Sequence, residues 1–146
     1  ALVEALAAVQ TDVLRFYAPT IAEIQTLDPE NQTGFRTRLA EMELMDVENG
    51  VRRLGRSGRQ AEALALVDAF IAKHSPAGEL RQKAILAKLG AYPINTQEGL
   101  DALGALVDEA LAIDAATPTG QRCVEIRKRL AEAAARLQAP PAAPAP

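Results

Sequence analysis

Apolar residues recur at three- and four-residue spacing along most of this chain, and this spacing constrains the fold more than any other feature. The clearest run contains Cys123, Ile126, Leu130, Ala133 and Leu137. Residues spaced in this way share one face of an α-helix. The composition agrees, because 30 of the 146 residues are Ala, the strongest helix former, and only five are aromatic. The sequence therefore predicts an all-α fold.

Pro, Gly and capping residues divide the chain into about seven predicted helices. These helices cover residues 2–17, 20–27, 33–54, 60–74, 75–89, 95–114 and 117–138. Ser75 is expected to cap the fifth helix, with Pro76 at its first position and Gly90 at its end. Residues 139–146 contain only Ala and Pro, which is typical of a linker or a frayed end. The predicted organisation is one helical domain over residues 1–138 and a Pro/Ala tail over residues 139–146.

The third predicted helix carries two apolar seams. The first consists of Phe35, Leu39 and Met42, and the second of Leu44, Val47, Val51 and Leu54. Positions 35 and 44 lie about 180° apart on a helical wheel, so the seams lie on opposite sides of the helix. This arrangement predicts a helix packed between a preceding and a following neighbour.

The predicted helix starts resemble one another. Gly34, Gly78 and Gly120 each lie at a helix start with an Arg close behind, and they are separated by 44 and 42 residues. The preceding helices also match, since Val67 and Val107 are each followed by Asp. A period of about 43 residues built from two helices predicts stacked antiparallel hairpins, as in TPR-like arrays and α-solenoids. The alternative is that Ala-rich helices resemble one another through composition alone.

The turn Leu27-Asp28-Pro29-Glu30-Asn31 resembles helical hairpins of bacterial cell-envelope proteins that also carry a thioredoxin-like domain, and Asp-Pro turns are common in TPR arrays. The chain departs from these families in two respects. The TPR signature of Trp, Leu-Gly and Tyr is missing, and the chain has no Cys-x-x-Cys. The resemblance therefore implies an accessory helical part and not the redox domain itself. It favours the bacterial envelope or periplasm over the cytoplasm.

Charge and hydropathy argue against two classes of partner. The formal net charge is −3, whereas a nucleic-acid binder normally carries a basic face. The sequence contains no run of 18 apolar residues, so no membrane span is predicted. Because the chain opens at Ala1, a processed start with its targeting signal out of view is expected.

Few residues of this sequence could act as chemical reagents. His74 is the only histidine and is expected to have a structural role at a helix end. Cys123 lies on an apolar stripe, so it is expected in the core and not as a reactive thiol. Met42 and Met45 are expected to fill core gaps, with a recognition groove as the alternative. We find no sequence motif for a metal, phosphate or nucleophile site, and we therefore predict no catalytic residue, cofactor or metal.

The densest charge cluster consists of Arg52, Arg53, Arg56 and Arg59, at the turn between the third and fourth predicted helices. These arginines could bind an acidic partner or a phosphate. Glu48 precedes Arg52 at the favourable four-residue spacing, so a solvated, self-compensated surface is the competing interpretation. The cluster is our candidate partner contact.

These observations predict a non-catalytic protein-interaction or spacer module built from helical hairpins. The predicted partner is another protein or a neighbouring domain of the same chain. Two alternatives stay open. One is an accessory domain that positions an attached thioredoxin-like redox domain, and the other is a small helical enzyme of unknown chemistry.

Overall fold

The computed structural model describes residues 34–138, together with residues 23, 26, 27 and 29–32. Over this part of the chain it contains helices and no strand. The elements are α1 (Phe35–Arg56), α2 (Gln60–His74), α3 (Gly78–Ala87), a 3-10 turn (Lys88–Ala91), α4 (Gln97–Leu111) and α5 (Pro118–Gln138). The all-α prediction is confirmed for these residues. The first predicted helix, most of the second, and the tail at 139–146 lie outside them.

Local sequence signals placed several helix boundaries correctly. The bounds of α2 are those predicted. Thr96 is the N-cap of α4, and its side-chain oxygen accepts a hydrogen bond from the N–H of Gly99 at 3.1 Å. The hydroxyl of Thr117 accepts one from the N–H of Gly120 at 2.9 Å, directly before α5. Such side chains satisfy N–H groups that have no partner inside the helix.

The predicted cap at Ser75 is wrong. Ser75 instead ends α2 in a left-handed conformation, with φ 43° and ψ 52°, and its N–H donates to the carbonyl of Ile71 at 2.9 Å. The extended residue Ala77 precedes α3, which begins at Gly78. A residue that precedes a proline is disfavoured in the α-helical region, so Pro76 accounts for the end of α2. Ser75 therefore closes one helix, and Pro76 and Ala77 separate it from the start of the next.

The fifth predicted helix is shorter than expected. Its α-helical part ends at Ala87 and continues as the 3-10 turn Lys88–Ala91, which contains Gly90. A Cβ atom at Gly55 of α1 would clash with the carbonyl oxygen of Gly90. The two glycines thus permit a close backbone approach between α1 and the 3-10 turn.

Helix α3 lies between two helical hairpins. Its backbone approaches those of α1, α2, α4 and α5, whereas among the described elements neither α1 nor α2 approaches α4 or α5. Ala84 and Ala87 pack into a core with α1 and α2, and Ile85 packs into a second core with α4 and α5. The first core contains Ala40, Leu44, Val51, Ala63, Val67, Phe70, Ala84, Ala87 and Ala91. The second contains Ile85, Val107, Ala110 and Cys123.

A buried amide joins α3 to the turn between α4 and α5. Gln82 is fully buried, and its Nε2 donates to the carbonyls of Ala110 and Asp114 at 3.0 and 2.5 Å. The hydroxyl of Thr117 donates to Gln82 Oε1 at 2.6 Å. One side chain therefore satisfies backbone carbonyls at the end of α4 and fixes the residue that caps α5.

The apolar faces follow the predicted spacing with one correction. In α1 the second seam is inward, with Leu44 and Val51 buried. In α2 the bulkiest buried side chain is Phe70. The prediction that Met42 and Met45 fill core gaps is wrong, because they are 50% and 60% exposed. Both side chains lie outside the core that α1 forms with α2 and α3.

The three glycines of the predicted repeat have different structural roles. Gly34 and Gly78 adopt positive φ, at 68° and 53°, and a Cβ atom at either position would meet open space. Gly120 lies inside α5, where a Cβ atom would clash with the carbonyl of Asp114. A neighbouring backbone thus passes closely at Gly120 alone, because the turn that precedes α5 folds back over it. Val67 and Val107 are both buried, as the repeat requires.

Candidate interaction face

A cleft of about 200 Å³ opens over the end of α3 and the 3-10 turn, between α1 and α5. Its lining consists of Glu48, Arg52, Leu86, Ala87, Leu89, Gly90, Arg122 and Ile126. The three helices supply the lining in chain order, with the end of α3 and the 3-10 turn in the middle. We call the surface formed by these eight residues the interaction face.

The cleft lining combines apolar and charged side chains. Leu86, Leu89 and Ile126 are half-buried and supply the larger apolar groups. A Cβ atom at Gly90 would lie 3.1 Å from Cγ of Arg52, so the Arg52 side chain would have to shift slightly to admit a larger residue there. An incoming apolar side chain could remove the exposed parts of Leu86, Leu89 and Ile126 from water.

The rim of the cleft is charged, and its two sides differ. On α1, Arg52 Nη2 lies 3.2 Å from Glu48 Oε2, which is the pair predicted from the sequence. Glu41, two turns earlier on α1, pairs with Lys83 of α3 at 3.0 Å. On α5, Arg122 is exposed and forms no ion pair with any described residue. Arg122 thus has no carboxylate partner among the described residues, whereas Arg52 on the opposite side of the cleft is paired with Glu48.

The structure separates the four arginines that the sequence grouped together. Arg52 lines the cleft, and the other three do not. Arg59 is held at the start of α2 by two hydrogen bonds to Glu62, at 2.7 and 2.5 Å, and this ion pair raises its pKa. Arg53 and Arg56 are exposed near the end of α1. Partner contact through this cluster stays a prediction, with Arg52 the member best placed for it.

His74 lies outside the cleft, in a polar contact between α1 and α2. Its Nε2 lies 2.7 Å from Glu43 Oε2, and Lys73 Nζ lies 2.9 Å from both carboxylate oxygens. The hydrogen bond with His74, and then Lys73, lowers the pKa of Glu43 to about 2 against the opposing effect of burial. The His74 ring packs at 4.7 Å on Phe70. His74 is therefore part of the contact between α1 and α2.

Cys123 is buried in the second core, as its position on the apolar stripe predicted. Burial raises the pKa of its thiol. Among residues 34–138 and the few described before them, no group of three or more His, Cys, Asp or Glu side chains is placed to hold a metal ion. No helix in the same part of the chain is both long and apolar enough to cross a bilayer.

The sequence analysis missed three arginines of α5. Arg122, Arg129 and Arg136 are exposed and recur at every seventh position. Positions seven residues apart lie about 20° from one another around a helix, so the three arginines share a side of α5. Arg122 shows that this side adjoins the cleft. The heptad spacing of these arginines is the sequence signal that identifies the row.

Comparison with known proteins gives no relative: no family model, no curated protein and no solved structure matches this chain.

Proposed function

We propose that the described helices form a non-catalytic protein-interaction or spacer module, and that the interaction face is its contact surface. One observation carries the proposal: the helices α1, α3 and α5 contribute both apolar and charged side chains to a single open cleft. Protein interfaces combine apolar contacts with polar and charged groups in this way. The partner is another protein or a neighbouring domain of the same polypeptide.

The order of helix contacts supports stacking of hairpins. Helix α1 approaches α3 and α3 approaches α5, whereas α2 and α4 do not approach each other. In helical-repeat proteins, one helix of each pair lines an extended face that binds partners. The α1–α3–α5 layer fits that role, with α2 and α4 behind it. The interpretations as a TPR-like array and as a thioredoxin-associated accessory domain remain proposals of this kind.

Site-specific photo-crosslinking tests the proposed face. A photoreactive amino acid is placed at Arg52 or Arg122 on the face. The matched control positions are Ala69 of α2 and Ala105 of α4, which are exposed on helices that do not line the cleft. The full-length protein is irradiated in its native cells, and crosslinked peptides are identified by mass spectrometry. We expect one partner protein or one neighbouring domain to crosslink from the face positions only.

Equal crosslinking from Ala69 and Ala105 would contradict the assignment of the face. A metabolite that binds in the cleft and is turned over would contradict the non-catalytic function itself.

A second set of variants tests the arginine cluster. Arg52→Ser is expected to weaken capture of the identified partner more than Arg53→Ser or Arg56→Ser, since only Arg52 lines the cleft.

A further inference from the structure

Helix α5 concentrates positive charge in a chain that is acidic as a whole. It carries five basic and two acidic side chains, whereas the whole chain has 16 basic and 19 acidic residues. Two of the five, Arg127 and Lys128, point away from the side that holds Arg122, and Arg127 pairs with Asp108 at 3.3 Å. The other three are Arg122, Arg129 and Arg136, which we call the arginine stripe. Within the described residues, no carboxylate pairs with the stripe.

The stripe continues the interaction face beyond the cleft. Arg122 and Ile126 line the cleft itself, and each further arginine follows after about 10 Å, at 1.5 Å per helical residue. Burial of the apolar side chains of α5 decreases in the same direction, from the fully buried Cys123 to Leu137, which is 47% exposed. The result is a row of guanidinium groups that form no ion pair with the described residues, next to the apolar side chains of Leu86, Leu89 and Ile126.

We infer that the arginine stripe and the cleft together bind an acidic amphipathic segment of a partner protein. The segment presents a carboxylate at about every seventh helical position, which matches the 10 Å interval of the stripe. It also presents one apolar side chain that fills the cleft. Guanidinium groups bind carboxylates with two parallel hydrogen bonds, so the match is one of geometry as well as charge. The inference rests on the proposed function and specifies its partner.

The surrounding acidic residues favour a protein over a polyphosphate. Glu48 forms part of the cleft rim, and Glu125 and Glu132 flank the stripe on α5. A nucleic acid carries a negative charge at every phosphate and would meet these carboxylates along its length. A peptide can place its carboxylates at intervals and avoid them.

Fluorescence anisotropy with a synthetic peptide tests the inference. The probe is an amphipathic helical peptide with Glu at every seventh position and Leu between, and its control has Gln in place of each Glu. We expect the Glu peptide to bind at least tenfold more tightly than the Gln peptide, with affinity falling as salt rises. Loss of two exposed ion pairs in Arg122→Gln/Arg129→Gln should weaken binding about three- to tenfold.

The matched control is Arg38→Gln/Lys128→Gln, which removes the same charge from exposed positions outside the cleft and the stripe. It should change affinity less than about twofold, since only screened, longer-range attraction is lost. Circular dichroism of both double variants checks that the helices are retained. Equal affinities for the Glu and Gln peptides, or equal losses in both variants, would overturn the inference.

Tighter binding of a single-stranded oligonucleotide or of anionic vesicles than of the Glu peptide would also overturn the inference. If the crosslinking experiment captures a partner segment that lacks carboxylates through Arg52 or Arg122, the interaction module stands and the acidic-segment inference falls. The two proposals can therefore fail separately.

Discussion

The α1–α2 hairpin and the α4–α5 hairpin are fastened by different polar interactions. In the first, charged side chains meet near the surface: Lys73 and His74 with Glu43, Lys83 of α3 with Glu41, and Lys88 of the 3-10 turn with Asp68. In the second, the uncharged side chain of Gln82 is fully buried against backbone carbonyls of the turn before α5. The first hairpin depends mainly on ion pairs, whereas the second adds a buried amide to the exposed ion pair between Arg127 and Asp108.

The two kinds of interaction differ in how much stability a single substitution is expected to remove. An exposed ion pair contributes little, because water solvates the separated charges almost as well. Removal of a buried donor takes from its acceptors a hydrogen bond that solvent does not replace, which costs more than the net value of the bond. We therefore expect the two hairpins to respond differently to substitution, pH and salt.

The largest effect is expected from Gln82→Leu, which keeps side-chain volume but removes the amide. The carbonyls of Ala110 and Asp114 lose a donor, so the free energy of unfolding should fall by about 2–4 kcal/mol. Urea unfolding followed by circular dichroism gives the magnitude. Hydrogen exchange should show faster opening in α4 and α5 than in α1 and α2.

Gln97→Leu is the matched control for that experiment, since Gln97 is exposed at the start of α4 and bonds only to Asp101 among the described residues. It should change stability by no more than about 0.5 kcal/mol. A similar cost for both substitutions would mean that the buried amide does not fasten the second hairpin.

An intermediate effect is expected from Glu43→Gln. The pKa of Glu43 is lowered from 4.5 to about 2 by His74 and Lys73, so the charged form stabilises the folded state by about 1–3 kcal/mol at neutral pH. A lowered pKa gives stability that is present above the unfolded value and lost as pH falls through the folded value. The difference between wild type and variant should thus be full above pH 5 and close to zero near pH 2.

Denaturant titrations across this pH range measure the difference between wild type and Glu43→Gln. Burial, followed by the charge of Glu43, raises the pKa of Asp46 nearby, so the same titration should be repeated in an Asp46→Asn background. A difference that does not shrink between pH 5 and pH 2 would show that Glu43 acts through packing and not through its charge.

The smallest effect is expected from Lys83→Gln, which removes the ion pair between α3 and α1. Both partners are exposed, Lys83 at 39% and Glu41 at 43%, so the loss should stay below about 0.5 kcal/mol and vanish at high salt. Thermal unfolding in low and high salt checks this. A loss as large as that of Gln82→Leu would remove the distinction between the two hairpins.

The helices and much of the core could be predicted from the sequence. The bounds of α2 and the burial of Cys123 follow from signals that lie within a few residues of each position. The end of α2 at Ser75 also has a local cause, since Pro76 follows it. The 3-10 turn that contains Gly90 does not, because it packs closely on Gly55 of α1, 35 residues earlier in the chain.

The candidate site was only partly predictable. Arg52 was nominated, but it was grouped with Arg53, Arg56 and Arg59 because they are neighbours in sequence. The cleft instead unites Arg52 with Arg122, which lies 70 residues later. No sequence periodicity relates residues on different helices, so this grouping depends on how α3 holds the two hairpins.

The sequence by itself determined the helical class, most helix ends to within three residues and the burial of Cys123, because periodicity and capping act over three or four residues. Only the tertiary structure decided that Gln82 would be buried, that Glu43 would meet His74, and that Met42 and Met45 would remain exposed. Each of those outcomes depends on which neighbour occupies the adjoining space. The hydrogen bonds of Gln82 and Glu43 join residues 28 to 35 positions apart, which is beyond the reach of any local pattern.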